Sequence, residues 1–66
     1  MVIKINGGKY SFEDGILFST VLEKFKINSQ TVAAELNKQI LPKKKYSETV
    51  LKEGDSIEIV TFVGGG

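Results

Sequence analysis

The stretch Ser56–Val63 constrains this chain more than any other. Ile57, Ile59, Thr61 and Val63 alternate with Glu58, Val60 and Phe62, so both faces are largely apolar or β-branched. A strand of that kind belongs inside a sheet and not at its edge. With 66 residues the chain has room for one small domain. A domain of this size buries only about 60% of its unfolded surface, so the layer covering that strand has to be efficient. With no cysteine, no disulfide can make up for a thin core.

One segment, Ile16 to Lys26, carries helical spacing. Phe18, Val21, Leu22 and Phe25 fall at i, i+3, i+4 and i+7, and Glu23 and Lys24 lie outside that stripe. Its N-terminus is poorly capped, because Leu17 cannot accept a backbone N–H; Asp14 near the start suits the helix dipole. Asn28 and Ser29 are expected to end it and open a polar loop.

The other segments read as extended. Val2 to Glu13 predicts a hairpin with two possible registers. A Gly7-Gly8 loop sets Ile5 against Tyr10 and Ile3 against Phe12, whereas an Asn6-Gly7 loop sets Lys4 against Lys9; charge repulsion favours the first. Thr31 to Leu36 is a further strand, followed by a turn at Asn37-Lys38 and a short strand Gln39–Leu41 that Pro42 stops. Tyr46 to Val50 is expected to form one helical or 3₁₀ turn with Tyr46 and Val50 facing inward. Glu53-Gly54-Asp55 is a turn, and turn chemistry accounts for its acids and for Asp14.

One helix with an apolar face and one sheet with an apolar face must bury each other. The expected fold is therefore α+β: a mixed sheet with one main helix packed on one face, the last strand beside the first and parallel to it. That is the ubiquitin-like β-grasp arrangement. The domain is expected over residues 1–63, with 64–66 as a flexible C-terminal glycine tail.

Composition removes whole classes of function. The chain has no histidine and no cysteine, hence no ready general base, nucleophile or soft-metal ligand. Neither a cofactor nor a metal site is expected, and the chain is not expected to be an enzyme. A net charge of +1 and the absence of arginine argue against a nucleic-acid partner. No apolar run is long enough for a membrane span, and Met1–Ile5 lacks a signal-peptide layout, so a cytoplasmic protein with no membrane partner is expected. Gly7-Gly8 lacks the context of a phosphate loop, and Lys43-Lys44-Lys45 reads as a solvated face or as a dock for an acidic rim on a partner.

The chain ends on Gly64, Gly65 and Gly66. Glycine offers no side chain to pack, so this tail is unsuited to a structural role, although chain ends are also commonly frayed. An arm without Cβ atoms can thread a narrow channel and let a partner approach the terminal carbonyl. If the helix covers the Ile57 face of the last strand, Val60 and Phe62 are left as an apolar patch beside the tail. The loop from Gln30 or the Tyr46 turn could cover them instead.

Ala34-Glu35-Leu36-Asn37, Ile40-Leu41-Pro42, Glu53-Gly54-Asp55 and the ending Phe62-Val63-Gly64-Gly65-Gly66 together resemble the ThiS family, sulfur carriers of thiamin-thiazole synthesis. The likeness spans almost the whole chain. It departs in a third glycine, Gly64, before the Gly-Gly pair, and in the bulk of Phe18 and Phe25. The resemblance implies that Gly66 is the site of adenylation and of thiocarboxylate formation, with Gly64 and Gly65 contacting partners; Val60 and Phe62 are expected to join them on the strength of the apolar patch. It implies three partners: an E1-like adenylating enzyme using ATP, a sulfur-donor protein and a thiazole synthase. A carrier for molybdopterin synthesis and a protein modifier joined through Gly66 to lysine remain alternatives.

Overall fold

A computed structural model describes residues 1–62, so the expected domain limit at residue 63 and the tail 64–66 lie outside the described residues. The chain runs β1 (Val2–Ile5), β2 (Gly8–Ser11), α1 (Phe18–Lys24), β3 (Val32–Leu36), β4 (Gln39–Leu41) and β5 (Ser56–Thr61), with 3₁₀ turns at Ser29–Thr31 and Lys43–Lys45. The five strands make one sheet in the order β2-β1-β5-β3-β4. β5 is central: it runs parallel to β1, with Ile5 beside Ile57, and antiparallel to β3, with Ala34 beside Ile59. The α+β arrangement expected from the apolar pattern is the one observed.

Alternation along the strands sends Ile3, Ile5, Val32, Ala34 and Ile57 to the helix side, where they bury against Phe18, Val21 and Leu22. Ile16 and Leu51 complete the core from the connecting segments.

The hairpin register differs from the expected one. Ile3 faces Tyr10, Lys4 faces Lys9 and Ile5 faces Gly8, so Asn6-Gly7 forms the loop. Both residues have positive φ (50° and 86°), as a type I′ turn requires, and asparagine and glycine tolerate that conformation best. The Asn6 side chain adds to this. Its Oδ1 accepts from the Ile59 N–H (2.7 Å) and its Nδ2 donates to the Ile59 carbonyl (3.2 Å), carrying the β1–β5 ladder one residue past the end of β1. Lys4 and Lys9 are both exposed, and water screens their repulsion.

The helix is shorter than its apolar stripe. Leu17 makes no side-chain cap, as expected; instead the Phe18 and Ser19 N–H groups donate to the Thr49 and Tyr46 carbonyls (2.9 and 3.0 Å). Leu17 and Val50 form an isolated bridge, and Leu51 N–H donates to the Ile16 carbonyl (2.9 Å). The helix start is thus capped by a distant piece of backbone. That docking buries Tyr46 but leaves Val50 53% exposed, so Val50 does not face inward. At the other end Lys26 adopts φ 57°, and the Lys26 and Ile27 N–H groups reach back to Glu23 and Leu22. This closes the helix before Asn28 and Ser29. Asp14 lies outside the first turn and sits 3.6 Å from the Met1 ammonium; its own side chain is almost fully exposed, so the pair counts for little.

Phe25 is 38% exposed and lies at the margin of the core, edge-on to Tyr10 (5.2 Å) and Phe12 (6.2 Å). Phe18 is fully buried, edge-on to Tyr46 at 4.7 Å. The Tyr46 hydroxyl is buried with no hydrogen-bond partner among the described residues, and burial raises its pKa above the ordinary 10.0. Because the folded-state pKa is the higher one, this group's contribution to stability is intact below about pH 10 and is lost only as the pH rises further.

Two stability outcomes are expected in urea denaturation. Phe18→Ala costs about 3–5 kcal/mol, as for an emptied aromatic core site, whereas Phe25→Ala costs less, about 1–3 kcal/mol, for a partly buried ring and its two edge contacts. Equal losses would show that Phe25 closes the core. Asn6→Ala costs about 1–3 kcal/mol, because it abandons two backbone groups of β5 and the left-handed turn residue. A neutral result there would mean that water replaces the amide without penalty.

Candidate functional site

The residues singled out in the sequence divide into two groups. Val60 and Phe62 are described, whereas Gly64, Gly65 and Gly66 lie outside the described residues. Since Ile57 is buried on the helix side, the intervening Glu58 and Val60 take the opposite face, and Phe62 follows them in alternation. Among the described residues no helix lies over that face. Val60 is 64% and Phe62 47% exposed, so neither the Gln30 loop nor the Tyr46 turn buries them.

The backbone stays paired one residue beyond β5, because Phe62 N–H donates to the Thr31 carbonyl at 2.8 Å. On the open face the Lys43 ammonium stands 5.1 Å from the centroid of the Phe62 ring. A cation over an aromatic face contributes about 0.5–1 kcal/mol at an exposed site. Pro42 sets this up by ending β4 and leading into the 3₁₀ turn that carries Lys43. The lysine run is therefore not merely a solvated face: its first member rests on Phe62, and its last pairs with Glu48 at 3.7 Å.

The sheet brings further residues to this face. The register β5–β3–β4 places Val60 beside Ala33, and Glu58 beside Glu35, which is itself beside Ile40. Ile40 is 81% exposed. Ala33, Ala34, Glu35, Ile40, Glu58 and Val60 line a groove of about 410 Å³. The sequence signals for Ile40 and Ala33 were faint, since one lies in a three-residue strand and the other is small. Only the pairing across three strands makes them neighbours of Val60.

Among the described residues no group of three or more Cys, His, Asp or Glu is placed to hold a metal ion. No described helix is long and apolar enough to cross a membrane. What this surface offers is contact: an exposed apolar strip, divided by two carboxylates, that runs along the strand leading to the chain's last residues.

Comparison with known proteins places the chain among relatives. The model of the ThiS family matches residues 3–66. The sulfur carrier protein ThiS of Bacillus subtilis is 36% identical over 67 aligned positions, covering 98% of this chain and all (100%) of the relative. A thiazole synthase from Paramagnetospirillum magneticum is 36% identical over 66 residues, and there the chain spans only 20% of the relative's length. The crystal structure of the thiamine biosynthesis protein ThiS from Geobacter metallireducens superposes with a TM-score of 0.85 at 28% identity, covering 100% of both chains.

A surface that is open and not structural should tolerate polar substitution. Val60→Ser combined with Ile40→Ser is expected to change unfolding free energy by no more than about 0.5 kcal/mol per site, as read by urea denaturation. A loss of several kcal/mol would place both residues in the core.

Proposed function

The chain belongs to the ThiS family, and from that premise we propose that it is the sulfur carrier for thiazole formation in thiamin biosynthesis. The observation that carries the reading is the reach of the family match: it runs through Gly64-Gly65-Gly66, beyond a strand that leaves Val60 and the following Phe62 exposed. The chain's own side chains include neither histidine nor cysteine, so the reacting group is the Gly66 carboxylate and the catalysts are partner proteins.

A carboxylate resists nucleophiles because its charge repels them. Attack of a Gly66 carboxylate oxygen on the α-phosphorus of ATP expels pyrophosphate and leaves an acyl-adenylate. The terminal sulfur of a donor protein's persulfide then attacks the Gly66 carbonyl carbon, and AMP departs. A thiol cleaves the resulting S–S bond; it ends in a disulfide, and Gly66 ends as a thiocarboxylate. That sulfur, more nucleophilic than the oxygen it replaced, passes to a thiazole synthase. The sequence supports this division of labour: with no cysteine, no side chain of the carrier can hold a persulfide. Glycines suit the reacting end because nothing beyond the backbone has to fit a partner's channel. Val60 and Phe62 serve as contacts beside it.

Two measurements test the reading. Intact mass after incubation with ATP, an adenylating enzyme and a persulfide source should show one oxygen-for-sulfur exchange at Gly66, absent without ATP. Ligation to lysines instead would make the chain a protein modifier, and transfer of the sulfur only to a molybdopterin-forming enzyme would change the acceptor. Deletion of Gly65-Gly66 should abolish the mass shift while thermal unfolding hardly moves. A large fall in melting temperature would show that those residues hold the fold together.

A further inference from the structure

Asn6-Gly7, the loop between β1 and β2, also carries a reactive bond. The backbone nitrogen of the residue after an asparagine can attack the side-chain Cγ. The N–Cγ bond forms, the Cγ–Nδ2 bond breaks, and Nδ2 leaves as ammonia with the proton that the backbone N–H gives up. Water then opens the cyclic imide. Breaking the bond to Cγ leaves an aspartate, and breaking the bond to the backbone carbonyl leaves an isoaspartate. A following glycine favours the attack, because no Cβ crowds its nitrogen. Of the three asparagines only Asn6 precedes glycine; Asn28 precedes Ser29 and Asn37 precedes Lys38.

Asn6 is exposed, so water reaches it. The fold restrains it in another way. Oδ1 accepts from Ile59 N–H at 2.7 Å and Nδ2 donates to the Ile59 carbonyl at 3.2 Å. Attack comes from above the amide plane and makes Cγ tetrahedral, so the two amide atoms cannot both keep their partners on Ile59. The ladder beside this clamp is short, with Lys4 beside Ser56 and Ile5 beside Ile57. The amide is therefore a large share of what joins β1 to β5.

We propose that Asn6 is a self-modification site gated by the sheet: the clamp on Ile59 suppresses ring closure while β1 and β5 are joined, and each opening of that join exposes the Asn6-Gly7 bond to it. The change runs one way. An aspartate at position 6 has no N–H for the Ile59 carbonyl, and an isoaspartate adds a backbone carbon to a turn whose hand and length are matched to the strands. Either product weakens the hold on the central strand, so a chain that has opened once too often is retired instead of refolding intact. Asn37 is the internal control. It has the same left-handed φ (52°) and a similar clamp, to Ser56 N–H and the Asp55 carboxylate, but a lysine follows it.

The test incubates the full chain at mildly alkaline pH, folded in buffer and unfolded in guanidinium chloride. Each asparagine is followed by peptide mass, since conversion adds one mass unit, and isoaspartate is identified by enzymatic carboxyl methylation. Asn6 should convert well ahead of Asn28 and Asn37 in the unfolded chain. It should slow about tenfold or more in the folded chain, the combined worth of two hydrogen bonds. Gly7→Ala, read in denaturant so that its folded-state strain does not matter, should slow conversion at Asn6 and leave Asn37 unchanged. The modified fraction, separated by its added negative charge, should melt below the unmodified one. Equal rates at Asn6 with and without denaturant would overturn the gate. An unfolded chain in which Asn6 is no faster than Asn37, or an unchanged rate in Gly7→Ala, would overturn the site. A modified fraction that melts with the wild type would overturn the one-way loss.

Discussion

Strand β5 depends on two asparagines, one on each side of it. On the β1 side Asn6 sits in a left-handed turn and its side-chain amide pairs with both backbone groups of Ile59. On the β3 side Asn37 is also left-handed, with φ 52°; its Oδ1 accepts from Ser56 N–H and its Nδ2 donates to Asp55. Asp55, the one buried acid, also accepts from Lys52 N–H at 2.8 Å and so closes the turn that feeds β5. In both places an amide stands in for a missing strand residue. This lets short neighbours hold a longer central strand, and an unsatisfied backbone group in the middle of so small a sheet would cost a sizeable part of the total stability.

The second economy is at the helix. A seven-residue helix is too short to be stable on its own and has no side-chain cap. Its first N–H groups are satisfied by carbonyls of the segment that follows β4, the same segment that buries Tyr46 against Phe18. Helix, cap and core therefore form together. The unpartnered Tyr46 hydroxyl is the cost of using a tyrosine for the bulk that this corner needs.

The open face follows from the same arithmetic. One helix covers one side of the five-stranded sheet, and among the described residues no element covers the other. The uncovered side carries Val60, Ala33 and Ile40 around two facing glutamates, and next to it Lys43 rests on Phe62 where the chain leaves the sheet. The face keeps exposed apolar area next to the point where the chain leaves the sheet.

Much of this was legible in the residues. Alternation over Ser56–Val63 placed the last strand in mid-sheet, the Phe18-Val21-Leu22 stripe placed one helix, and the pairing of the two implied the fold. The glycine ending raised the terminal carboxylate as the expected site, which lies outside the described residues. What pattern alone could not decide were matters settled by contacts between distant segments. Repulsion between Lys4 and Lys9 argued for the wrong hairpin register, because the gain from Asn6 clamping Ile59 lies some fifty residues away and leaves no local trace. Phe25 shared the spacing of the core stripe, yet the chain turns at Lys26 and tips it to the margin. Val50 looked inward until the bridge to Leu17 turned it out. The groove itself exists only through register, since Ala33, Ile40 and Val60 lie on three strands and become one surface when hydrogen bonds align them. Local periodicity sets which face a side chain takes; which other side chains share that face is decided by tertiary pairing, because that is where the competing backbone and packing energies are resolved.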